Sequence, residues 1–200
     1  GVLVGERSLP VTKVAVALDV TVEAIEEAAA AGANVLLTHH PAYLAAPDAF
    51  APDLPLSRSM LAAVLCRLEE PDIQAAKPGF TDTDSSAWYA EGIAWAAEAG
   101  IVCGYGDGRF GPDDSVTREQ LAVMLYRYAR LLDMDTGGRD SLSGFSDSGA
   151  VSPWAQEALA WAVDAGIITG LSDGTLAPAG TATRAEAAAM LQRLVMALLK

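Results

Sequence analysis

Three arginines, Arg58, Arg118 and Arg184, occupy equivalent places in this chain of 200 residues. Each follows a serine or a threonine that can cap a helix, so each arginine falls in the first turn of a predicted helix. A guanidinium at the positive end of a helix can hold a carboxylate through two hydrogen bonds. These arginines are therefore candidates for binding an anionic ligand. The sequence supports equally well a second role, in which each arginine forms a salt bridge that orders a nearby loop.

The predicted loops carry Asp107 and Asp173, either of which could pair with an arginine. Each aspartate is followed by glycine, and Asp-Gly is typical of a tight turn. Both are turn residues first, and they are also candidate ligand-binding residues because they belong to the same repeated motif.

The copies of the motif differ in completeness. Arg118 and Arg184 open helices in complete copies, whereas Arg58 belongs to a copy without its first half. We therefore expect ligand to bind between the two complete copies, and Arg58 to matter least. We also expect these arginines to be exposed, so that their loss affects binding more than stability.

Two adjacent histidines, His39 and His40, follow the apolar run Val35-Leu36-Leu37 and could ligate a metal ion. A catalytic divalent site needs at least three protein ligands, and Asp19 could supply a third. The pair is thus either part of a metal site or an unligated pair, and the chain's total of two histidines favours the second. No histidine lies in the repeats to serve as a base for a serine or a cysteine. We expect no catalytic site and no cofactor.

The arginines recur because the chain itself repeats. A set of residues returns 66 positions later, and a shorter set lies 60 positions earlier, which indicates one supersecondary unit used more than once. The full set is Trp88, Trp95, Gly100, Gly104, Asp107, Pro112 and Arg118, and the earlier set is Phe50, Pro52, Arg58, Leu65 and Arg67.

Each complete unit is predicted to be a helix, a short extended loop and a second helix. Gly100 and Gly166 end the first helices, and Thr117 with Gln120, and Thr183 with Glu186, form capping boxes for the second. The two tryptophans of each unit are seven residues apart, which predicts one helix face in the core rather than a platform for sugar.

The predicted organisation is a partial repeat at 48–70 and complete repeats at 80–132 and 145–200. Residues 1–47 follow another pattern, since predicted strands at 13–18 and 35–37 flank a predicted helix at 21–31. This is a βαβ unit, whose two strands should be parallel. We predict an α+β fold: a mainly α-helical bundle of pseudo-repeats with a small N-terminal βαβ segment.

Composition excludes several classes of partner. A formal net charge of −13 argues against nucleic acid and anionic membranes, because phosphate contacts need clustered basic residues. No apolar run approaches the roughly 18 residues of a membrane span, and the amino terminus shows no signal-peptide pattern. The two cysteines are expected to be free thiols rather than a disulfide.

The repeated pattern resembles the S-layer homology domain. The residues that carry the resemblance are Phe-x-Asp, Trp, Gly-x-x-x-Gly-x-x-Asp-Gly, Pro and Thr-Arg-x-[Glu/Gln], read over residues 48–200. The resemblance implies three units around a pseudo-threefold axis with carbohydrate bound between neighbours. It also implies an extracellular wall or S-layer location and, as ligand, an acidic secondary cell-wall polysaccharide that often carries a pyruvate ketal.

The first segment resembles the start of the Nif-three-like dinuclear metal-centre proteins. The matching residues are Lys13 to Thr21 and Leu36 to Pro41. The resemblance implies metal-ligand roles for His39 and His40 and offers an alternative function, a protein related to metal-binding hydrolases. The family's further ligands are missing here, because no other histidine exists in the chain. That alternative protein would therefore be inactive.

Overall fold

The computed structural model describes residues 14–17, 30, 32, 35–38, 52–69, 71, 79–137 and 142–198. The chain divides into two compact units, Gly1–Ala51 and Pro52–Lys200. In the first unit, strand β1 (Val14–Ala17) pairs in parallel with β2 (Val35–Thr38), with Val14 opposite Val35. The parallel pairing is as predicted. The connecting helix lies almost wholly outside the described residues, so the βαβ unit stays a prediction.

The second unit is built from helices. They are α1 (Arg58–Glu69), α2 (Ala90–Glu98), α3 (Arg118–Leu131), α4 (Gln156–Asp164) and α5 (Arg184–Leu198), with a 3₁₀ turn at Ser148–Ala150. The described chain is therefore mainly helical, as predicted. The α+β description is not confirmed, because β1 and β2, four residues each, are the only strands among the described residues. None of the described helices combines the length and apolar character needed to cross a bilayer.

The second helix of each complete repeat begins at the predicted capping box. Thr117 Oγ1 accepts a hydrogen bond from Gln120 N at 3.3 Å, and Gln120 Oε1 accepts one from Thr117 N at 3.1 Å. Thr183 and Glu186 make the same pair of bonds at 3.2 and 2.8 Å. The partial repeat keeps half of the box, since Ser57 Oγ accepts from Met60 N but a methionine cannot return the bond.

The first helices end at glycine, as the sequence predicts. Gly100 and Gly166 have φ values of +71° and +70°, which a residue with a Cβ adopts only with strain. The amide of Ile101 then donates to the carbonyl of Ala96, five positions earlier, and the chain reverses direction tightly at the helix end. Ile101 and its equivalent Ile167 are fully buried, so the reversal returns the chain to the core.

Helices pack across repeats rather than only within them. The second helix of one repeat packs against the first helix of the next, α1 on α2 and α3 on α4, and α3 also contacts α5. In the first of these pairs the backbones approach closely: a Cβ added at Gly92 would lie 2.7 Å from the Cα of Ala63. Glycine at this position is therefore a packing requirement.

A closed ring of backbone hydrogen bonds joins the three repeats. Leu56 N donates to Ala182 O, Ala182 N donates to Val116 O, and Val116 N donates to Leu56 O, each at 2.9 Å. All three residues are buried. The partial repeat thus supplies the third member of a pseudo-threefold arrangement.

The tryptophans separate into two groups, contrary to the prediction of a shared buried face. Trp161 is 2% exposed, whereas the leading residues Trp88 and Trp154 are 51% and 56% exposed. The reason is local, because α2 begins at Ala90 and α4 at Gln156. The leading tryptophans precede the helices, so helical spacing does not apply to them. The prediction of two free cysteines is confirmed.

Candidate ligand-binding junctions between repeats

Each of the three arginines lies at an inter-repeat junction, the contact between the start of a second helix and the neighbouring repeat. At the first junction, the start of α1 meets residues 103–114 of the second repeat. Arg58 N donates to Asp114 O at 3.0 Å, and Ser59 N donates to Pro112 O at 3.1 Å. The first amides of the helix, which usually seek external acceptors, are therefore already satisfied by the neighbouring repeat.

The Arg58 side chain lies inside the first junction and is 6% exposed. Its Nε donates to Phe110 O and its Nη2 donates to Cys103 O, both at 2.7 Å. Its guanidinium carbon lies 4.8 Å from the ring centre of Tyr105 and 4.6 Å from that of Phe110. Cation–π attraction and two carbonyl bonds thus hold the guanidinium rigidly.

At the second junction, α3 meets residues 169–180 of the third repeat in the same way. Arg118 N donates to Gly180 O at 2.8 Å, and Arg118 Nε donates to Leu176 O at 2.7 Å. The difference lies at the tip of the side chain, where Arg118 Nη1 forms an ion pair with Glu186 Oε1 at 2.7 Å. Arg118 is 4% exposed, so this ion pair is largely withdrawn from solvent on its basic side.

The second junction also contains a buried acid that the sequence analysis missed. Glu119 is 7% exposed and accepts hydrogen bonds from Ser152 N and Ser152 Oγ, both at 3.0 Å. It thus fixes the turn that leads into α4. Ser152 does not cap that helix, which starts at Gln156 after an N-cap residue, Ala155, that makes no side-chain hydrogen bond.

The third junction brings α5 to the start of the second unit. Arg184 N donates to Leu54 O and Ala185 N donates to Pro52 O, both at 3.0 Å. The Arg184 side chain is half-buried. Phe50, the residue equivalent to Phe110 and Leu176, lies outside the described residues.

Two expectations about these arginines are corrected. Arg58 and Arg118 are buried rather than exposed, because the next repeat folds over them. Their expected salt bridges to Asp107 or Asp173 are absent from the described residues, where Arg118 pairs with Glu186 and Arg58 binds carbonyls.

Asp107 and Asp173 are turn residues, as predicted, and both are exposed. Asp107 accepts from Arg109 Nε at 2.7 Å and from the Arg109 amide at 3.0 Å, and these bonds lower its pKa. Asp173 accepts from the hydroxyl and the amide of Thr175, which lower its pKa likewise. A ligand-binding role for either aspartate stays a prediction.

Two further aspartates have a role that the sequence analysis did not assign. Asp82 accepts from Phe110 N at 2.7 Å and from Gly111 N at 2.8 Å, and Asp147 accepts from Leu176 N and Ala177 N at 2.8 Å each. Each carboxylate thus clamps the backbone whose carbonyl receives an arginine Nε. Their recurrence in Phe-x-Asp was the available signal.

Desolvation and hydrogen bonding oppose each other at Asp82. Partial burial pushes the pKa of its carboxyl upward, but the amide bonds from Phe110 and Gly111 outweigh it, so the pKa lies below its ordinary value. The clamp is therefore charged at neutral pH.

The predicted metal ligands His39 and His40 lie outside the described residues. Within the part of the chain that the structure describes, no group of three or more histidine, cysteine, aspartate or glutamate side chains could hold a metal ion. The metal-binding role of the histidines stays a prediction.

Two protein families match different parts of the chain. The S-layer homology domain family matches residues 79–122 and 144–188. A second family, Duf34/NIF3 (NGG1p interacting factor 3), matches residues 1–65. This second match runs past residue 47 into α1, so it overlaps the partial repeat.

Three curated relatives align with 58–73% of the chain. An amylopullulanase of Thermoanaerobacterium thermosulfurigenes is 34% identical over 73% of this chain and 8% of its own length. A cellulosome-anchoring protein of Acetivibrio thermocellus is 30% identical over 72% of this chain and 33% of its own length. A surface-layer 125 kDa protein of Lysinibacillus sphaericus is 33% identical over 58% of this chain and 10% of its own length. The chain therefore spans a third or less of each of these relatives. The two stretches that match the S-layer homology domain family, 79–122 and 144–188, fall on the two complete repeats, and the Duf34/NIF3 match covers the first 65 residues.

Proposed function

We propose that this chain is a non-catalytic module that attaches non-covalently to the bacterial cell surface, outside the cell, by binding an acidic secondary cell-wall polysaccharide. Pyruvylated polymers are the expected ligand class. The observation that carries the proposal is the set of arginines held at the inter-repeat junctions. A rigid guanidinium is suited to a carboxylate because its donors are already oriented.

The relatives support an anchoring role through what they share. Their names describe an amylopullulanase, a cellulosome-anchoring protein and a surface-layer protein. Proteins with such different names have no single reaction in common, whereas a shared attachment to the cell surface would account for a shared segment. The likeness covers only 8–33% of these proteins, so it concerns the module and not their other activities.

The charge balance makes the junction arginines more important. The chain carries 13 basic and 26 acidic residues, so its overall field repels an acidic polymer. Binding must then depend on a few local contacts. Contacts between an arginine and a ligand carboxylate weaken at high salt where they are open to solvent, because dissolved ions screen the two charges.

Co-sedimentation with purified wall sacculi tests the proposal. The chain should sediment with sacculi that retain their secondary polymer and should stay in the supernatant once that polymer has been removed chemically. Arg130→Ala is the matched control, because Arg130 is an exposed arginine outside the three junctions. It should sediment like the parent. Equal sedimentation of the parent with stripped and intact sacculi would contradict the proposal.

A further inference from the structure

The first and second junctions differ in the residue that faces the arginine. Arg118 meets Glu186, the fourth residue of Thr-Arg-Ala-Glu in the third repeat. The corresponding residue of the second repeat, 66 positions earlier, is Gln120. By the equivalence of the repeats, Gln120 corresponds to the residue that faces the arginine at the first junction. A carboxylate in one junction is thus replaced by a neutral amide in the other.

The capping box determines which atom of each side chain faces the arginine. Glu186 accepts from Thr183 N through Oε2 and uses Oε1 for Arg118. Gln120 accepts from Thr117 N, and a backbone amide can bond only to an acceptor, so Oε1 must occupy that place. The amide nitrogen Nε2 of Gln120 therefore takes the position that Oε1 has in Glu186.

The first junction consequently offers donors that have no acceptor. Arg58 uses Nε and Nη2, and neither Arg58 Nη1 nor Gln120 Nε2 donates to any described residue. Gln120 is half-buried, and Arg58, although only 6% exposed, has no fully buried nitrogen without a partner among the described residues. Among the described residues no ion pair joins Arg58 to a carboxylate. Asp114, one of the acids in this loop, instead accepts a hydrogen bond from the Tyr105 hydroxyl at 2.9 Å.

We infer that the first junction, with Arg58 and Gln120, is the site that takes a carboxylate of the ligand, and that Glu186 fills the corresponding place at the second junction as a built-in counter-ion. This inference rests on the proposed function and reverses the ranking expected from motif completeness. At the third junction the equivalent residue is Met60, whose side chain has no N–H donor. The residue at the position of Met60, Gln120 and Glu186 thus determines which junction accepts an anion.

A reciprocal exchange tests the inference. Gln120→Glu places a carboxylate beside Arg58, and Glu186→Gln removes the one beside Arg118, while both side chains keep the oxygen that the capping box needs. The probe is a methyl glycoside bearing a pyruvate ketal, with its uncharged ethylidene acetal analogue as the control. Affinity and stoichiometry come from calorimetry, and the site comes from the NMR signals of the Arg58 and Arg118 Nε–H groups.

The parent should bind one equivalent of the charged probe, and the Arg58 signal should shift. Gln120→Glu should weaken binding about tenfold to a hundredfold, the range of a lost charged hydrogen bond. Glu186→Gln should keep the first site and add a second. Matching thermal midpoints verify that both variants are folded.

Two results would overturn the inference, and they are distinguishable. If the parent binds the charged probe but Gln120→Glu leaves affinity unchanged, the assignment of the junction is wrong while the proposed function stands. If the parent binds neither the probe nor intact sacculi, the proposed function fails and takes this inference with it.

Discussion

At the residue scale, what matters most is how the buried polar groups are paired. The sequence identifies Arg58 and Arg118 through their motif, but their burial depends on a neighbouring repeat that no local pattern describes. The same is true of the acids: Glu186 pairs with an arginine 68 positions away. The repeated motif predicted that the arginines would meet acidic residues. It could not identify the acidic partner of each arginine, since many acids in the chain could take that place.

The Asp82 clamp gives a prediction at this scale. Asp82→Asn keeps one acceptor but turns an amide donor toward a backbone N–H, so the free energy of unfolding at neutral pH should fall by about 1–3 kcal/mol. Urea unfolding monitored by circular dichroism measures this change. Asp113→Asn is the control, because Asp113 is an exposed aspartate in the nearby loop.

The pH dependence of the clamp has a definite sign. The pKa of Asp82 is lowered in the folded protein, so its contribution to stability is present above the ordinary aspartate pKa of about 4 and is lost as pH falls through the lower folded value. The stability difference between the parent and Asp82→Asn should therefore narrow below about pH 4. A difference that stays constant down to the acid transition would show that the carboxylate charge is not what the amides bind.

At the element scale, helix boundaries follow from local chemistry and helix contacts do not. Thr117 with Gln120 and the left-handed Gly100 set their helix ends through neighbouring atoms, so the sequence predicted them. The pairing of α1 with α2 depends on which helix faces meet once the backbone hydrogen bonds of Leu56, Val116 and Ala182 have joined the repeats. The exposed position of Trp88 was missed because the helix starts two residues later, at Ala90.

Gly92 tests the close contact between α1 and α2. Alanine favours a helix over glycine by about 1 kcal/mol, but a Cβ here would meet the Cα of Ala63 at 2.7 Å and its amide nitrogen at 3.0 Å. Because backbone atoms cannot move aside cheaply, Gly92→Ala should lower stability by about 1–3 kcal/mol. The equivalent position in α4 is already an alanine, Ala158.

Denaturant unfolding of Gly92→Ala measures the change in the free energy of unfolding. A rise in stability of the size expected from helix propensity alone would mean that α1 and α2 are farther apart than described. A fall confirms that the glycine is retained for packing.

At the scale of the whole molecule, backbone hydrogen bonds between Leu56, Val116 and Ala182 join three unequal repeats, and we expect these repeats to unfold together. The partial repeat lacks the first half of the sequence motif, yet α1 buries Leu61 and Leu65 completely. The period in the sequence predicted the number of repeats. It could not predict that each helix start would be satisfied by the following repeat, because that requires the ring to close.

Cooperativity across the ring can be measured. Leu61→Ala removes a fully buried side chain from α1 and should cost about 2–5 kcal/mol. The indole N–H signal of Trp161, in the third repeat, should lose intensity at a correspondingly lower urea concentration. Leu68→Ala, in the same helix but at a position 48% exposed, is the control and should change the midpoint little. An unchanged Trp161 midpoint in Leu61→Ala would mean that the partial repeat unfolds separately.

The most direct test of the central claim is calorimetric titration of the chain with purified secondary cell-wall polysaccharide, before and after removal of its pyruvate groups. If the junctions bind acidic sugar, the native polymer should bind with saturable stoichiometry and an affinity that falls with added salt, while the neutral polymer should bind at least about tenfold more weakly, as expected for the loss of a charged hydrogen bond. Equal affinity for the two polymers would contradict the claim that the arginine junctions recognise a carboxylate.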